Sequence, residues 1–308
     1  MPSRRTVIRA LAAGTTAALL RPLGALALGA PQPAPLARAI PSSGEKVPVV
    51  GLGTWITFNV GDDPELRGEC AAVMRTFFEH GGRVIDSSPM YGSSQEVVGY
   101  GLAKLGRHDV VFAADKVWIG SGEDGPQQIE ESRAYWGVRR FDLLQVHNLL
   151  AWGDHLPRLL EMKVAGRVRY VGITTSEGRR HDEIEQIMAT RPIDFVQVTY
   201  NVLDREIEKR ILPLAQDRGI AVLINRPFRQ GALTRDLERH PLPAFAAEVG
   251  AATWAQLLLK FIVSHPAVTC VIPATTRPEH AAENMRAAGG ALPDEAMRRR
   301  IALHVEEL

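Results

Sequence analysis

The chain repeats one pattern along most of its length: a short β-branched run is followed by an amphipathic stretch, from about residue 47 onward. Eight such pairs can be counted, and repeated β-α units are typical of a parallel sheet covered by helices. The predicted strands are 47–50, 83–86, 110–113, 141–146, 168–173, 195–198, 221–224 and 268–272. The predicted helices lie near 66–80, 94–105, 126–136, 154–165, 180–189, 206–218, 253–264 and 278–288.

Eight β-α units in about 240 residues are what a single closed barrel requires. The rival is an open doubly wound sheet, whose first helix normally opens with a Gly-x-Gly-x-x-Gly turn, and no such turn opens the first helix here. The turn Ser42-Ser43-Gly44 predicts a hairpin over 35–48 that plugs the barrel bottom, and a further helix is predicted over 293–305. The predicted fold class is therefore α/β, a single-domain (β/α)8 TIM barrel with a short N-terminal hairpin and an extra C-terminal helix.

Charge and cysteine content narrow the classes of partner. The chain carries 36 basic and 35 acidic residues. Residues 1–30 hold four arginines and no acidic residue, so the remainder has 32 basic against 35 acidic residues and a net charge of −3. Nucleic-acid binding needs clustered positive charge, so the composition argues against it and favours a small-molecule partner. With only two cysteines and no histidines at ligand spacing, neither a disulfide scaffold nor a metal site is expected.

The first 30 residues predict an export signal. The pair Arg4-Arg5 precedes a weakly apolar stretch over 10–20 and then small residues that end at Ala30. This order matches a signal peptide, and the arginine pair is typical of twin-arginine signals. The alternatives are a basic amphipathic helix and an uncleaved anchor.

Three regions follow from this interpretation: a twin-arginine-type signal peptide over 1–30, a Pro-rich linker and possible hairpin over 31–45, and the barrel over 46–308. We expect a periplasmic or otherwise exported protein that uses the twin-arginine export machinery as a partner. No stable membrane span is expected after processing, because the apolar run is too short and is interrupted.

Polar side chains end three successive predicted strands, which is where barrels place their chemistry. Asp86 ends the second strand, Lys116 follows the third and His147 follows the fourth, while Tyr91 lies in the loop after Asp86. Taken singly, Asp86 fits a helix cap, Tyr91 fits packing and His147 fits a core residue. Lys116 is harder to explain in this way, because an unpaired ammonium is costly in a crowded barrel mouth. The four together predict an active site.

These four residues suit the protonation of an oxyanion. A tyrosine with a pKa of about 10 donates poorly at neutral pH, and the Lys116 ammonium is expected to lower the pKa of Tyr91. Asp86 is expected to keep that ammonium charged, and His147 to donate a hydrogen bond to the substrate oxygen or relay the proton. Hydride transfer from a nicotinamide is the natural counterpart of this proton transfer.

The motif from Asp86 to Gly92, Asp-Ser-Ser-Pro-Met-Tyr-Gly, lies in register with Lys116 and His147. With these residues the chain resembles the aldo-keto reductases over about residues 46–290. The resemblance implies an oxidoreductase that reduces an aldehyde or ketone, or oxidises the alcohol, with NADP(H) favoured and NAD(H) possible. It implies Tyr91 as the acid, Lys116 and Asp86 as its tuners, and His147 as the residue that orients the carbonyl. Other matching segments are 51–55, 142–148, 166–173, 197–201 and 271–284.

The same resemblance implies which residues hold the cofactor and the substrate. The expected cofactor contacts are Gly53, Thr54, Asp86, Asn148, Thr174, Gln197, Asn225, Arg226, Thr275, Arg277 and Asn284. The expected substrate walls are the loop over 225–245 and two tryptophans that could instead be core aromatics, Trp55 and Trp118. Arg277 is the candidate for a 2′-phosphate, because Ala274 replaces a lysine of many NADPH-preferring members.

Two departures from the family pattern leave other functions open. The chain has Thr174-Thr175-Ser176 where many relatives carry a Ser-Asn pair. It also has Asn225-Arg226-Pro227-Phe228 where an aromatic ring commonly stacks on the nicotinamide. One alternative is therefore an exported nicotinamide-binding sensor or accessory module with little turnover. The other follows from the predicted export, because nothing in the sequence supplies reduced cofactor outside the cytoplasm: an oxidoreductase that holds its NAD(P) tightly and does not release it.

Overall fold

The computed structural model describes residues 35–308, so the predicted signal peptide over 1–30 lies outside the described residues. The predicted hairpin is present: β1 (Ala37–Ala39) pairs antiparallel with β2 (Lys46–Pro48). The first predicted strand, 47–50, is wrong in part, because Val47 and Pro48 belong to this hairpin. The β-branched run switches partners, since the N–H of Val49 donates to Leu36 O at 2.9 Å and Val50 already bridges to the barrel.

Eight parallel strands form the barrel wall and confirm the predicted fold class. Isolated bridges from Val50 to Val271 and from Gly53 to Ala274 join the first and last strands. A Cβ on Gly53 would lie 2.7 Å from the carbonyl oxygen of Ile272, so this closure requires glycine. The strands are β3 (Leu52–Gly53), β4 (Val84–Asp86), β5 (Phe112–Val117), β6 (Phe141–His147), β7 (Val168–Thr174), β8 (Phe195–Thr199), β9 (Ala221–Asn225) and β10 (Cys270–Val271).

Helices cover the outside of the wall, and the first shows why the sequence forms them. The Asp63 carboxylate accepts the N–H groups of Glu65 and Leu66, while Pro64 occupies the first turn. The helices are α1 (Pro64–Glu79), α2 (Ser94–Leu105), α3 (Gly125–Trp136), α4 (Trp152–Val164), α5 (His181–Thr190), α6 (Ile211–Arg218), α7 (Ala232–Leu237), α8 (Trp254–Val263), α9 (Pro278–Arg286) and α10 (Glu295–Glu306). The sequence did not predict α7, whereas α10 confirms the extra C-terminal helix. Across residues 35–308, none of the helices has the length and apolarity needed to cross a bilayer.

The lower half of the barrel interior is apolar. Phe112, Tyr170 and Phe195 pack together there, with the rings of Phe112 and Tyr170 stacked at 5.9 Å between centroids. Two hairpin residues, Ile40 and Val47, join the same cluster. The hairpin therefore closes the amino ends of the strands, as predicted, and leaves the carboxyl ends for polar groups.

Candidate active site

The inward faces of four strands change from apolar to polar toward their carboxyl ends. Side chains two positions apart on a strand point to the same face. On each of these strands, an apolar side chain of the core and the polar side chain above it therefore both face the barrel interior. The apolar members belong to the interior cluster, and the polar members are fully or almost fully buried. The successive inward pairs are Val84 and Asp86, Ala114 and Lys116, Leu143 and Gln145, and Phe195 and Gln197.

The Asp86 carboxylate is the centre of the polar layer. Lys116 Nζ donates to Asp86 Oδ2 at 2.5 Å, which confirms the expected ion pair. Asp86 Oδ1 accepts from Gln197 Nε2 at 2.9 Å and from Gln145 Nε2 at 3.2 Å. Burial alone would lower the pKa of Lys116, but the adjacent Asp86 charge raises it overall, so the ammonium stays charged at neutral pH. Sequence reasoning missed Gln145, although it lies two residues before His147 on the same strand.

Tyr91 ends a short 3₁₀ turn, Pro89–Tyr91, that follows β4. Its ring lies 4.9 Å from Lys116 Nζ and meets the His147 ring edge-on, with centroids 5.6 Å apart. The Trp55 ring is also close, with its centroid 6.4 Å from that of the Tyr91 ring. The four residues predicted from three strand ends are therefore brought together.

The pKa of Tyr91 departs from the sequence expectation. Burial raises the pKa of Tyr91 above its ordinary value, and the positive charge of Lys116 opposes that shift without cancelling it. The lowered pKa was expected from the Lys116 charge alone, but burial also removes water around the phenol, and this loss disfavours the phenolate. Lys116 still stabilises the phenolate relative to a site without that charge.

His147 is held neutral and is hydrogen-bonded on one side. Burial, helped by the charge of Lys116, lowers the pKa of His147 to about 2. Its Nδ1 lies 2.7 Å from the hydroxyl of Ser88, which is fully buried. Sequence reasoning treated Ser88 only as part of the motif, and nothing in the local pattern indicates a contact with a residue 59 positions away.

Asp115 is a second buried carboxyl group that the sequence did not single out. It lies beside Lys116 on β5 but faces α2, where its Oδ2 accepts from Gln95 Nε2 at 2.7 Å. Its Oδ1 accepts the N–H of Lys116, also at 2.7 Å. Burial raises the pKa of Asp115 to about 7, so this carboxyl group is partly protonated near neutral pH.

A cavity of about 810 Å³ opens at the carboxyl ends of the strands and has Tyr91 and His147 in its wall. This volume lies within the range of about 300–1,000 Å³ that is typical of small-molecule sites. The cavity extends from the catalytic candidates to the start of α9. The predicted residues that line it are Gly53, Thr54, Trp55, Asp86, Tyr91, His147, Asn148, Thr174, Gln197, Asn225, Arg226, Thr275 and Asn284.

Three predicted residues do not line the cavity. Lys116 is fully buried behind Asp86 and Tyr91. Trp118 is 39% exposed outside the wall, and Arg277 is exposed with its Nε donating to Glu279 Oε1 at 2.7 Å. The substrate role of Trp118 and the phosphate role of Arg277 stay predictions from the family pattern.

The cavity offers polar groups for a dinucleotide at both ends. Asn148 lies near His147 and Asn284 lies in α9, and neither carboxamide makes a hydrogen bond within residues 35–308. The amides of Gln197 and Asn225 are already engaged, because Asn225 Nδ2 donates to Thr175 O at 3.0 Å and Gln197 donates to Asp86. The free carboxamides fit a ligand with polar groups spread along its length. The described part of the chain shows no cluster of side chains suited to a metal ion.

The model of the aldo/keto reductase family matches residues 49–303. The "NADH-specific methylglyoxal reductase" of Escherichia coli (strain K12) is 27% identical over 233 residues, covering 64% of this chain and 68% of that protein. A second methylglyoxal reductase of that strain is 28% identical over 237 residues, covering 75% and 82%. A Klebsiella pneumoniae aldo/keto reductase, solved with NADP and acetate, matches with a TM-score of 0.71 and 27% identity over 84% of this chain and 93% of that chain. Since the match spans nearly the whole barrel, the chain belongs to the aldo/keto reductase family.

Proposed function

We propose that this chain is an NAD(P)H-dependent reductase of aldehydes or ketones in which Tyr91 donates the proton. The observation that carries the proposal is one cluster on the cavity wall: the Tyr91 ring lies 4.9 Å from Lys116 Nζ and 5.6 Å from the His147 ring. Family membership supports nicotinamide chemistry. Two relatives named as methylglyoxal reductases support a small carbonyl substrate.

NAD(P)H, when bound, supplies the hydride that reduces the carbonyl carbon. His147 orients the carbonyl oxygen, and Tyr91 gives its phenolic proton to that oxygen as negative charge develops there. The raised pKa of Tyr91 keeps the phenol protonated at neutral pH. An alkoxide is basic enough to take this proton, and the Lys116 ammonium then stabilises the phenolate that remains.

The free carboxamides of Asn148 and Asn284 are the side chains best placed to hold the cofactor. NADP(H) is favoured because the similar Klebsiella pneumoniae protein was solved with NADP. NAD(H) is possible because one Escherichia coli relative is named as NADH-specific. The wall contains Ala274, Thr275 and His280 at the α9 end, so a 2′-phosphate there would meet Thr275 and the start of the helix, and Arg277 stays the predicted cationic partner.

The test is consumption of NADPH, and separately of NADH, with methylglyoxal, aromatic aldehydes and quinones as substrates. Tyr91→Phe removes only the phenolic hydroxyl and should lower kcat/KM by about 10²–10⁴-fold, the usual range for a lost general acid. Tyr100→Phe is the matched control, since Tyr100 lies in α2 away from the cavity. Cofactor binding without turnover in the unmodified protein would contradict the reductase and support a sensor or accessory module.

A second candidate is an oxidoreductase that releases its cofactor slowly. Arg226 Nη1 lies 2.9 Å from Glu177 Oε1, and both residues line the cavity from the loops after β9 and β7. The Arg226 guanidinium also lies 5.9 Å from the Trp55 ring. Retention of about one equivalent of nicotinamide through purification, lost in Arg226→Met, would support this candidate. Purification of the unmodified protein without cofactor would exclude it.

Export by the twin-arginine route completes the proposal. Its support is the pair Arg4-Arg5 ahead of a short apolar stretch. Residues 1–34 fused to a fluorescent protein that folds before export should direct it to the periplasm, and Arg4→Lys with Arg5→Lys should retain it in the cytoplasm. A fusion that stays in the membrane fraction would indicate an uncleaved anchor instead.

A further inference from the structure

Ser88 joins the two side chains that would handle the substrate oxygen. Its hydroxyl lies 2.7 Å from His147 Nδ1 and also accepts the N–H of Met90 at 3.2 Å. Its carbonyl oxygen accepts the N–H of Tyr91 at 3.0 Å. Ser88 is fully buried and His147 is 5% exposed, so water does not compete for this contact.

Counting hydrogens on the two groups assigns the tautomer of His147. Within residues 35–308 the Ser88 oxygen has two partners, the Met90 N–H, which it accepts, and His147 Nδ1. Nδ1 is therefore the acceptor available to the buried hydroxyl hydrogen, which a hydrogen on Nδ1 would leave without a partner. A neutral imidazole carries one hydrogen, so a ring whose Nδ1 accepts must carry it on Nε2. Within residues 35–308 the Nε2 atom has no hydrogen-bond partner, and His147 lines the cavity.

We propose that Ser88 is a positioning residue that fixes His147 in the tautomer with its hydrogen on Nε2, ready to donate to the carbonyl oxygen of the substrate. The inference rests on the proposed reductase function. The opposite tautomer would present a lone pair to the carbonyl oxygen and repel it. The selection of a tautomer by the partner of the other ring nitrogen is a general property of histidine. The low pKa of His147 agrees, because the ring stays neutral across the physiological range.

The first experiment reads the tautomer directly and needs no turnover. Protein with ¹⁵N-labelled histidine is examined by NMR, and the His147 signals are assigned by their loss in His147→Gln. The expected result is a protonated Nε2 and an unprotonated Nδ1. A hydrogen on Nδ1 would overturn the proposal. Because the measurement does not depend on activity, it separates failure of this inference from failure of the proposed function.

The second experiment uses adjacent serines. Ser88→Ala should lower kcat/KM about 10–100-fold, the range found when the outer partner of a metal-ligating histidine is removed, and the fraction of His147 protonated on Nε2 should fall. Ser88→Thr keeps a hydroxyl and should restore the tautomer. Ser87→Ala is the matched control, because the Ser87 hydroxyl is buried without a hydrogen-bond partner among the described residues. The His147 NMR signals of Ser87→Ala should match those of the unmodified protein.

A double-mutant cycle then distinguishes positioning from simple support of the 3₁₀ turn. If Ser88 acts through His147, Ser88→Ala should have no further effect on kcat/KM in a His147→Ala background. If the two substitutions multiply, Ser88 supports the turn independently of the ring and the proposal is wrong. Should Ser88→Ala fail to fold, the proposal can still be overturned, either by a hydrogen on Nδ1 in the unmodified protein or by a tautomer in Ser88→Thr that differs from it.

Discussion

At the amino ends of the barrel strands the chain turns through glycine, whereas at the carboxyl ends it bends other residues, in addition to glycines such as Gly92 and Gly231, into backbone with positive φ. Five helix-to-strand turns contain a glycine with positive φ: Gly81, Gly106, Gly137, Gly166 and Gly219. Among residues 35–308, nine non-glycine residues have positive φ, and all follow barrel strands: Ile56, Asn148, Leu149, Ala151, Glu177, Arg180, Arg226, Arg229 and Gln230. A left-handed non-glycine residue costs about 1–2 kcal/mol.

The carboxyl end therefore concentrates the unusual backbone and the fully buried ion pair of Lys116 with Asp86, while the amino end is built on an apolar cluster with partly exposed ion pairs, such as Lys163 with Asp194, around it. Side chains hold the strained loops in place: Arg180 Nη1 donates to Asn148 O at 2.8 Å and to Leu149 O at 3.1 Å. Such features persist only where the surrounding structure enforces them, and they are common at active sites. We infer that the amino end of the barrel contributes mainly to stability, whereas the carboxyl end holds strained backbone and buried charges that serve the reaction and lower stability.

Lys116→Met should have the largest effect among the variants that test this difference between the two ends. It should lower kcat/KM by at least about 10²-fold, because Tyr91 loses the charge that stabilises its phenolate. It should also lower the free energy of unfolding by about 3–5 kcal/mol, since Asp86 is left buried without its partner. Enzyme assay and urea unfolding at neutral pH measure the two effects.

The control for Lys116→Met is the double variant that adds Asp86→Asn. It removes both charges, so most of the lost stability should return while activity stays low. Equal stability of the single and double variants would show that the unpaired Asp86 carboxylate is not the cause of the loss.

At the opposite end, Arg38→Met should affect stability alone. The Arg38 guanidinium donates to the carbonyl oxygens of Val263 and His265 at 2.7 and 2.6 Å, and to that of Val268, where α8 ends. Loss of these charged hydrogen bonds should lower the free energy of unfolding by about 1.5–3 kcal/mol. The value of kcat/KM should stay unchanged, because Arg38 lies at the hairpin.

An exposed arginine provides the comparison for Arg38→Met. Arg299 pairs with Glu295 on the surface of α10, so Arg299→Met should change the free energy of unfolding by less than about 1 kcal/mol. A fall in kcat/KM for Arg38→Met, without a matching loss of folded protein, would contradict the separation of the two ends.

Most of the fold was predictable because β-α repeats leave a periodic signal. The misassigned run Val47–Val50 shows the limit, since β-branched residues report strand propensity and not the partner strand. The run is shared between the hairpin and the barrel, and Pro48 cannot donate to a ladder. The helix α7 was missed because six residues give too short a period to recognise.

The site was predictable where it depends on strand ends and less so where it depends on contacts across the barrel. Asp86, Lys116 and His147 come from neighbouring strands, so their meeting follows from topology. The contact between Ser88 and His147 depends on side-chain orientation, and the pKa of Tyr91 depends on how much water burial removes. The ion pair of Arg277 with Glu279 likewise arises from local geometry that a family pattern does not carry.

The smallest expected effects come from exchanging alanine and glycine at the two residues with positive φ that flank α4. Ala151 directly precedes this helix with φ of +46°, and Gly166 follows it with φ of +72°. A Cβ on Gly166 would meet nothing within 4 Å, so Gly166→Ala adds backbone strain without a clash. It should cost about 1 kcal/mol of unfolding free energy, because the strain exceeds the chain entropy that alanine saves. Ala151→Gly should raise the unfolding free energy by a similar amount, about 0.5–1 kcal/mol, because relief of strain exceeds the added chain entropy.

The loop that carries Asn148 then becomes less fixed, so the KM for NADPH should rise in Ala151→Gly and not in Gly166→Ala. If Ala151→Gly destabilises the protein, the carboxyl end stores no strain at this residue and the contrast between the two ends fails there.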